Sequence, residues 1–146
     1  DVDVTMVHEN EAQIYGHTAE NCVDLIETIN SPKLRLVYDP ANFVWGEKLT
    51  NNVKVCWPVM KPYVVHIHIK DWKLGAKDVG SIPGEGDGQI KELLAELAAM
   101  NYTGCMTMEP HLQLGGQFGG STGPELFTKA IDAVRELAAE VGLKCD

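Results

Sequence analysis

Between residues 2 and 142 the chain passes from period-two to helical patterning four times over, and this alternation constrains the fold more than any other feature. The runs 2–8 (VDVTMVH), 34–39 (LRLVYD), 64–70 (VVHIHIK) and 104–109 (GCMTME) read as strands. Helical segments separate them. Thr18 caps TAENCVDLIETI, in which Leu25, Ile26 and Ile29 fall on one stripe. A weaker helix is expected around 50–61, interrupted by Pro58, and QIKELLAELAAM and ELFTKAIDAVRELAAEVG follow the third and fourth strands. Strands separated by helices of roughly 10 to 20 residues predict an α/β fold of parallel βα units with right-handed crossovers.

In such folds the chemistry gathers at the carboxyl ends of the strands. Within 64–70, alternation puts His66, His68 and Lys70 on one face and Val65, Ile67 and Ile69 on the other. The four strands end in Glu9, Asp39, His68 and Glu109. Any one of these alone reads as a helix cap or an ion-pair partner. Four together, on parallel strands about 4.8 Å apart in part of a barrel, converge on one point. Three carboxylates and one imidazole make a hard, oxygen-rich set suited to one divalent metal, Mn2+ or Mg2+ first, with Co2+ or Zn2+ as alternatives. His66 lies one layer deeper, as a hydrogen-bonded core histidine or a substrate contact, and His8 alternates against Glu9 toward the helical layer. Asn42, Lys70 and Lys73 are further candidate substrate contacts, and Lys70 could instead pair with a core carboxylate. Glu11 and His17 sit in the first loop.

The chain of 146 residues, 45% apolar, fits a single domain (1–146) with a real core. Twelve basic against twenty-one acidic residues give a net charge of −9, which argues against nucleic acid or an anionic membrane as partner. No run approaches the roughly 18 apolar residues of a membrane span. Cys22, Cys56, Cys105 and Cys145 form no CxxC pair and are expected to be reduced thiols of a cytoplasmic protein. A first residue, Asp1, that is not methionine and lies at the edge of a strand suggests a fragment or processed product. The glycine-rich stretches GEGDGQI (84–90) and LQLGGQFGGSTGP (112–124) are turns, or loops that hold phosphate beside a helix start.

Five motifs, HENEAQIYGHT, YDPANF, HIHIKD, GEGDGQI and MEPHL, resemble in this order the C-terminal half of sugar phosphate isomerase/epimerases with the xylose-isomerase-like TIM barrel. The resemblance implies strands five to eight of a (β/α)8 barrel whose N-terminal half is absent. It also implies one divalent metal on Glu9, Asp39, His68 and Glu109, with Glu9 and Glu109 as the acid/base pair of an epimerase. The substrate would be a sugar or sugar phosphate, deprotonated beside its carbonyl to an enediolate. Two branches fit less well. Hydride-shifting xylose isomerases carry a lysine where this chain has Glu11, and the endonuclease IV branch needs a histidine at Asn42 and an Asp-x-His where Asp78 and Gly80 stand. A keto-inositol-type dehydratase and a non-catalytic binding or structural fragment are the alternatives. Because four βα units cannot close an eight-stranded barrel, the chain is expected to have an apolar inner surface and to be inactive alone. It should pair with another copy or with the missing N-terminal half.

Overall fold

Four short strands pair side by side in chain order in the computed structural model, which describes residues 3–115 and 120–145. They are β1 (Met6–Glu9), β2 (Leu34–Tyr38), β3 (Val64–Ile69) and β4 (Cys105–Met108), all parallel. The crossover from β1 to β2 is α1 (Ala19–Ile29). Three helices, α2 (Pro40–Glu47), α3 (Asn52–Val55) and α4 (Trp57–Met60), link β2 to β3. Next, α5 (Ile90–Ala99) links β3 to β4, and α6 (Pro124–Val141) follows β4. This is the expected α/β, TIM-barrel-like arrangement with a parallel sheet.

The helix expected around 50–61 is two single turns, α3 and α4, that meet at Cys56. Sequence patterning misses α2 because Pro40, Ala41, Asn42, Phe43 and Val44 are all buried, so no polar stripe marks it. Its start is nevertheless written in the chain. Asp39 is an N-cap whose side chain accepts from Asn42 N, and Pro40 occupies the first helical position, where its missing N–H costs nothing.

The helix-facing side of the sheet is the apolar one. Leu36, Tyr38, Ile67 and Ile69 are fully buried against Ile26, Trp57, Leu93, Leu94, Leu97 and Val134. Tyr38 meets Trp57 edge-on at 5.2 Å and donates its hydroxyl to Asn52 Oδ1. Alternation along β3 departs from expectation at its start: the β2–β3 register shifts between Leu36 and Val37, which makes Val65 an extra residue. Val64 takes the core position and Val65 is left 42% exposed. The inner face also departs from expectation. Val37 is buried there and Val7 is 45% exposed, but Arg35, His66, His68 and Thr107 share the face, so the surface is mixed rather than apolar throughout.

Asp71, fully buried after β3, organises the long loop that follows. Its Oδ1 accepts from Trp72 N and Gly88 N, and its Oδ2 from Gly84 N and Gly86 N, all within 2.8 to 2.9 Å. A Cβ at Gly86 would lie 2.2 Å from Asp71 Oδ1, so only glycine fits. Of the GEGDGQI amides that might have cradled a phosphate, those of Gly84, Gly86 and Gly88 are therefore bonded to this carboxylate, and those of Glu85 and Asp87 to Ile82 O and Trp72 O. Of the second glycine-rich stretch, residues 116–119 lie outside the described residues. No helix among the described residues is long and apolar enough to cross a membrane. Substituting Asp71→Asn replaces an acceptor oxygen with an N–H2 facing donors, and should cost about 1–3 kcal/mol in urea unfolding. Wild-type stability in that variant would contradict the assignment.

Candidate metal centre

Each of the four strands delivers one side chain to the same point. Glu9 ends β1, Asp39 follows β2 and caps α2, His68 is the penultimate residue of β3, and Glu109 follows β4, where its N–H donates to Ile69 O. One ligand atom from each of these four lies within 4.8 Å of the other three. His68 Nδ1 is 3.2 Å from Glu9 Oε1, 3.3 Å from Glu109 Oε2 and 3.9 Å from Asp39 Oδ2. Lys70 Nζ sits 2.9 Å from Asp39 Oδ2 and 3.2 Å from Glu109 Oε2.

A second ring of polar groups fixes the first. Asn42 donates its backbone N–H to Asp39 Oδ1 and its side chain to Glu9 Oε1. The Asn10 side chain donates to Asp39 O and accepts from Asp39 N, both at 2.8 Å. His111 Nε2 lies 3.3 Å from Glu109 Oε1. Beside the centre, reached through Asn42, Lys70 and His111, is a cavity of about 380 Å³ that Trp45 and Trp72 also line.

Charge decides what such a cluster wants. The hydrogen bond to His68 holds the Glu109 carboxyl at about 2, against the opposing effect of its burial. Hydrogen bonds to Glu109 and then Glu9 raise the His68 imidazole to about 10. Burial lifts Asp39 to about 7, with the Lys70 ammonium acting against it. Burial also acts to raise Glu9, but His68 and Lys70 outweigh it and its pKa is lowered. For Lys70 burial acts downward, and the Asp39, Glu109 and Glu9 carboxylates together carry it upward.

With His68 neutral, three carboxylates and one ammonium leave a charge of −2, which a divalent cation balances. Asp39 Oδ2 supplies an independent test of fit. It is buried with no hydrogen-bond donor aligned on it, although the Lys70 ammonium is close. Lys70 is its charged partner, and the oxygen also faces the ligand atoms of Glu9, His68 and Glu109, so a cation placed among them would meet it. The residues present fit a divalent metal.

Not every candidate from the sequence reaches this point. His66 is one layer deeper, its Nε2 2.7 Å from Thr107 Oγ1 and its ring edge-on to His68 at 5.5 Å. Lys73 is on the exposed loop, paired with Asp87 at 3.0 Å and making none of the contacts of the centre. His8 faces the helical side as expected, 3.1 Å from Gly16 O. Asn10 and His111 join the centre although no strand-end position marks them in the sequence. Asn10 could have been suspected from its place beside Glu9, whereas His111 reaches Glu109 only because it turns back in a left-handed conformation, φ 46°.

A family model described as xylose isomerase-like TIM barrel matches residues 1–137. The chain belongs to this family. Among solved structures, D-psicose 3-epimerase from Clostridium cellulolyticum H10, determined with D-tagatose, shares 18% identity and a TM-score of 0.64, over 95% of this chain and 49% of that one. A D-tagatose 3-epimerase-like protein shares 19% identity and a TM-score of 0.71, over 94% and 48%. A xylose isomerase-like TIM barrel protein from Mycobacterium smegmatis, in complex with magnesium, shares 15% identity and a TM-score of 0.69, over 94% and 45%. These likenesses establish the fold, and the chain spans about half the length of each structure. No curated protein matches.

Two outcomes are expected of the centre itself. Metal ligation needs a neutral imidazole, so uptake of Mn2+ at about pH 8 should release about one proton, from His68. Below the Asp39 value of about 7 that number should rise. Titration calorimetry in buffers of different ionisation enthalpy measures it, and metal uptake without proton release would contradict the ligand role of His68. In Lys70→Met the metal-free chain should melt lower, because Asp39 loses its counter-ion. Its gain in Tm on adding Mn2+ should exceed the wild-type gain, since a like charge beside the ion is gone. An equal or smaller gain would contradict the charge balance.

Proposed function

We propose that the chain is the C-terminal half of a divalent-metal-dependent sugar epimerase or isomerase that deprotonates carbon beside a carbonyl and passes through an enediolate. One observation carries this reading. Glu9 and Glu109 come from the two edge strands of the sheet and both reach His68 Nδ1, at 3.2 and 3.3 Å, so two carboxylates from opposite edges border one small volume. The sugar epimerases among the solved structures of this fold support the substrate class.

Glu9, Asp39, His68 and Glu109 would hold the metal, with Mn2+ or Mg2+ preferred by their oxygen-rich chemistry. A bound divalent cation supplies a positive charge beside the oxygens on which negative charge develops. The protein groups do the rest. One of the two glutamates takes the proton from one face of the substrate carbon and the other returns a proton to the opposite face, which inverts the centre. Asn42 and His111 hold Glu9 and Glu109, respectively, at fixed angles. Lys70 keeps Asp39 and Glu109 ionised in a poorly hydrated place. His66 and Lys73 would contact substrate only through atoms beyond those at the centre.

Four strands give half of the wall of such a site. Completion by an N-terminal half-barrel, or by a second copy, would pair the free edges of β1 and β4 and enclose the substrate. Turnover therefore belongs to the completed barrel.

In the completed, metal-loaded protein, Glu109→Gln should slow exchange of the substrate α-proton with solvent deuterium by at least about a hundredfold. NMR of a keto-sugar incubated in deuterium oxide measures this, and wild-type exchange would remove Glu109 from the reaction. An ultraviolet-absorbing enone among the products would indicate dehydration instead of epimerisation. His68→Ala should strip the metal, and unchanged metal content in that variant would sink the ligand set.

A further inference from the structure

A second cavity, of about 760 Å³, opens on the same end of the sheet as the centre. Its walls come from the loop after β1 (Gln13, His17), the end of α2 (Trp45, Glu47) with Lys48, and the loop after β3 (Lys77). Trp45 and Lys77 also line the cavity at the centre, so the two spaces share a wall. Proton transfer at Glu9 and Glu109 makes no use of this outer space.

Its chemistry is that of a carbohydrate subsite. Trp45 is 37% exposed and offers an aromatic surface against which the C–H face of a pyranose can pack. Around it stand groups able to bond hydroxyls: the Gln13 amide, the His17–Glu47 pair at 2.8 Å and the Lys77 ammonium. For an anion the lining is mixed: the Lys48 and Lys77 ammonium groups attract it, and the remaining features oppose it. The cavity takes in the C-terminal end of α2, whose carbonyls carry partial negative charge. The Lys48 ammonium already donates to Trp45 O and lies 5.9 Å from the Trp45 ring centroid. Glu47 adds a carboxylate.

We infer that the outer cavity binds a second, neutral sugar ring, so that the substrate is a keto-sugar carrying a glycosyl substituent rather than a free monosaccharide or a sugar phosphate. The inference rests on reading the centre as a keto-sugar site.

Binding to the metal-loaded 146-residue chain tests it, with D-fructose, isomaltulose (a glucosyl-fructose), D-fructose 6-phosphate and methyl α-D-glucoside as probes. Isomaltulose should bind at least about tenfold more tightly than D-fructose, because the second ring binds with the first already anchored. Methyl α-D-glucoside should shift the indole N–H resonance of Trp45, with or without metal. Trp45→Ala should bring the isomaltulose-to-fructose affinity ratio to about one. Glu47→Ala, which alters only the outer cavity, should lower it at least about threefold should the Trp45 variant fold poorly. Equal affinities for isomaltulose and D-fructose, with no Trp45 shift from methyl glucoside, would overturn the inference. So would a gain for D-fructose 6-phosphate alone. If D-fructose fails to bind while methyl glucoside still shifts Trp45, the reading of the centre fails and the outer sugar site stands.

Discussion

The Asp39 carboxylate, fully removed from water and 2.9 Å from the Lys70 ammonium, is the constraint on which the upper end of this sheet depends. A charge so placed has to be balanced and held, and the surrounding residues do both. Asn10 grips its backbone, Asn42 bonds one carboxylate oxygen, and Pro40 starts the helix that Asp39 caps. The other oxygen is left pointing at Lys70, His68 and the two glutamates. The same residue thus begins a helix, closes a strand and faces the centre. Its place at the end of β2 makes all three possible at once.

A second buried aspartate shows how far environment decides the role of a side chain. Asp71 stands one residue from Lys70, and it is as buried as Asp39. Four backbone N–H groups satisfy its oxygens, so it has no lone pair left to offer a metal and instead shapes a loop. Asp39 receives one N–H and one ammonium and retains an oxygen without an aligned donor. Residue type and burial are the same in both cases, and only the count of donors separates a structural carboxylate from a candidate ligand.

Much of this was legible in the chain. Period-two runs gave the four strands, and the parallel βα reading placed Glu9, Asp39, His68 and Glu109 at one end of the sheet, where their ligand atoms come together. What was not legible has physical causes. The first five residues of α2 are all buried and show no helical stripe, while the bulge at Val65 depends on pairing with Leu36 and Val37 rather than on local pattern. His111 reaches Glu109 through a left-handed backbone turn that its side chain does not announce. The glycines of GEGDGQI are close-approach positions for Asp71, and a spacing rule cannot tell an internal carboxylate from an external phosphate. Lys73 was drawn away by Asp87, a partner fourteen residues downstream on the same loop.

The convergence of four strand-end side chains on one divalent cation is the claim from which the proposed chemistry follows. Anomalous diffraction at the manganese edge from crystals of the chain grown with Mn2+ tests it directly. The account predicts a single strong anomalous peak within coordination distance, about 2.0–2.5 Å, of oxygens from Glu9, Asp39 and Glu109 and of His68 Nδ1. A peak elsewhere, or a centre in which Lys70 alone neutralises the carboxylates and no peak is seen at saturating Mn2+, would contradict it.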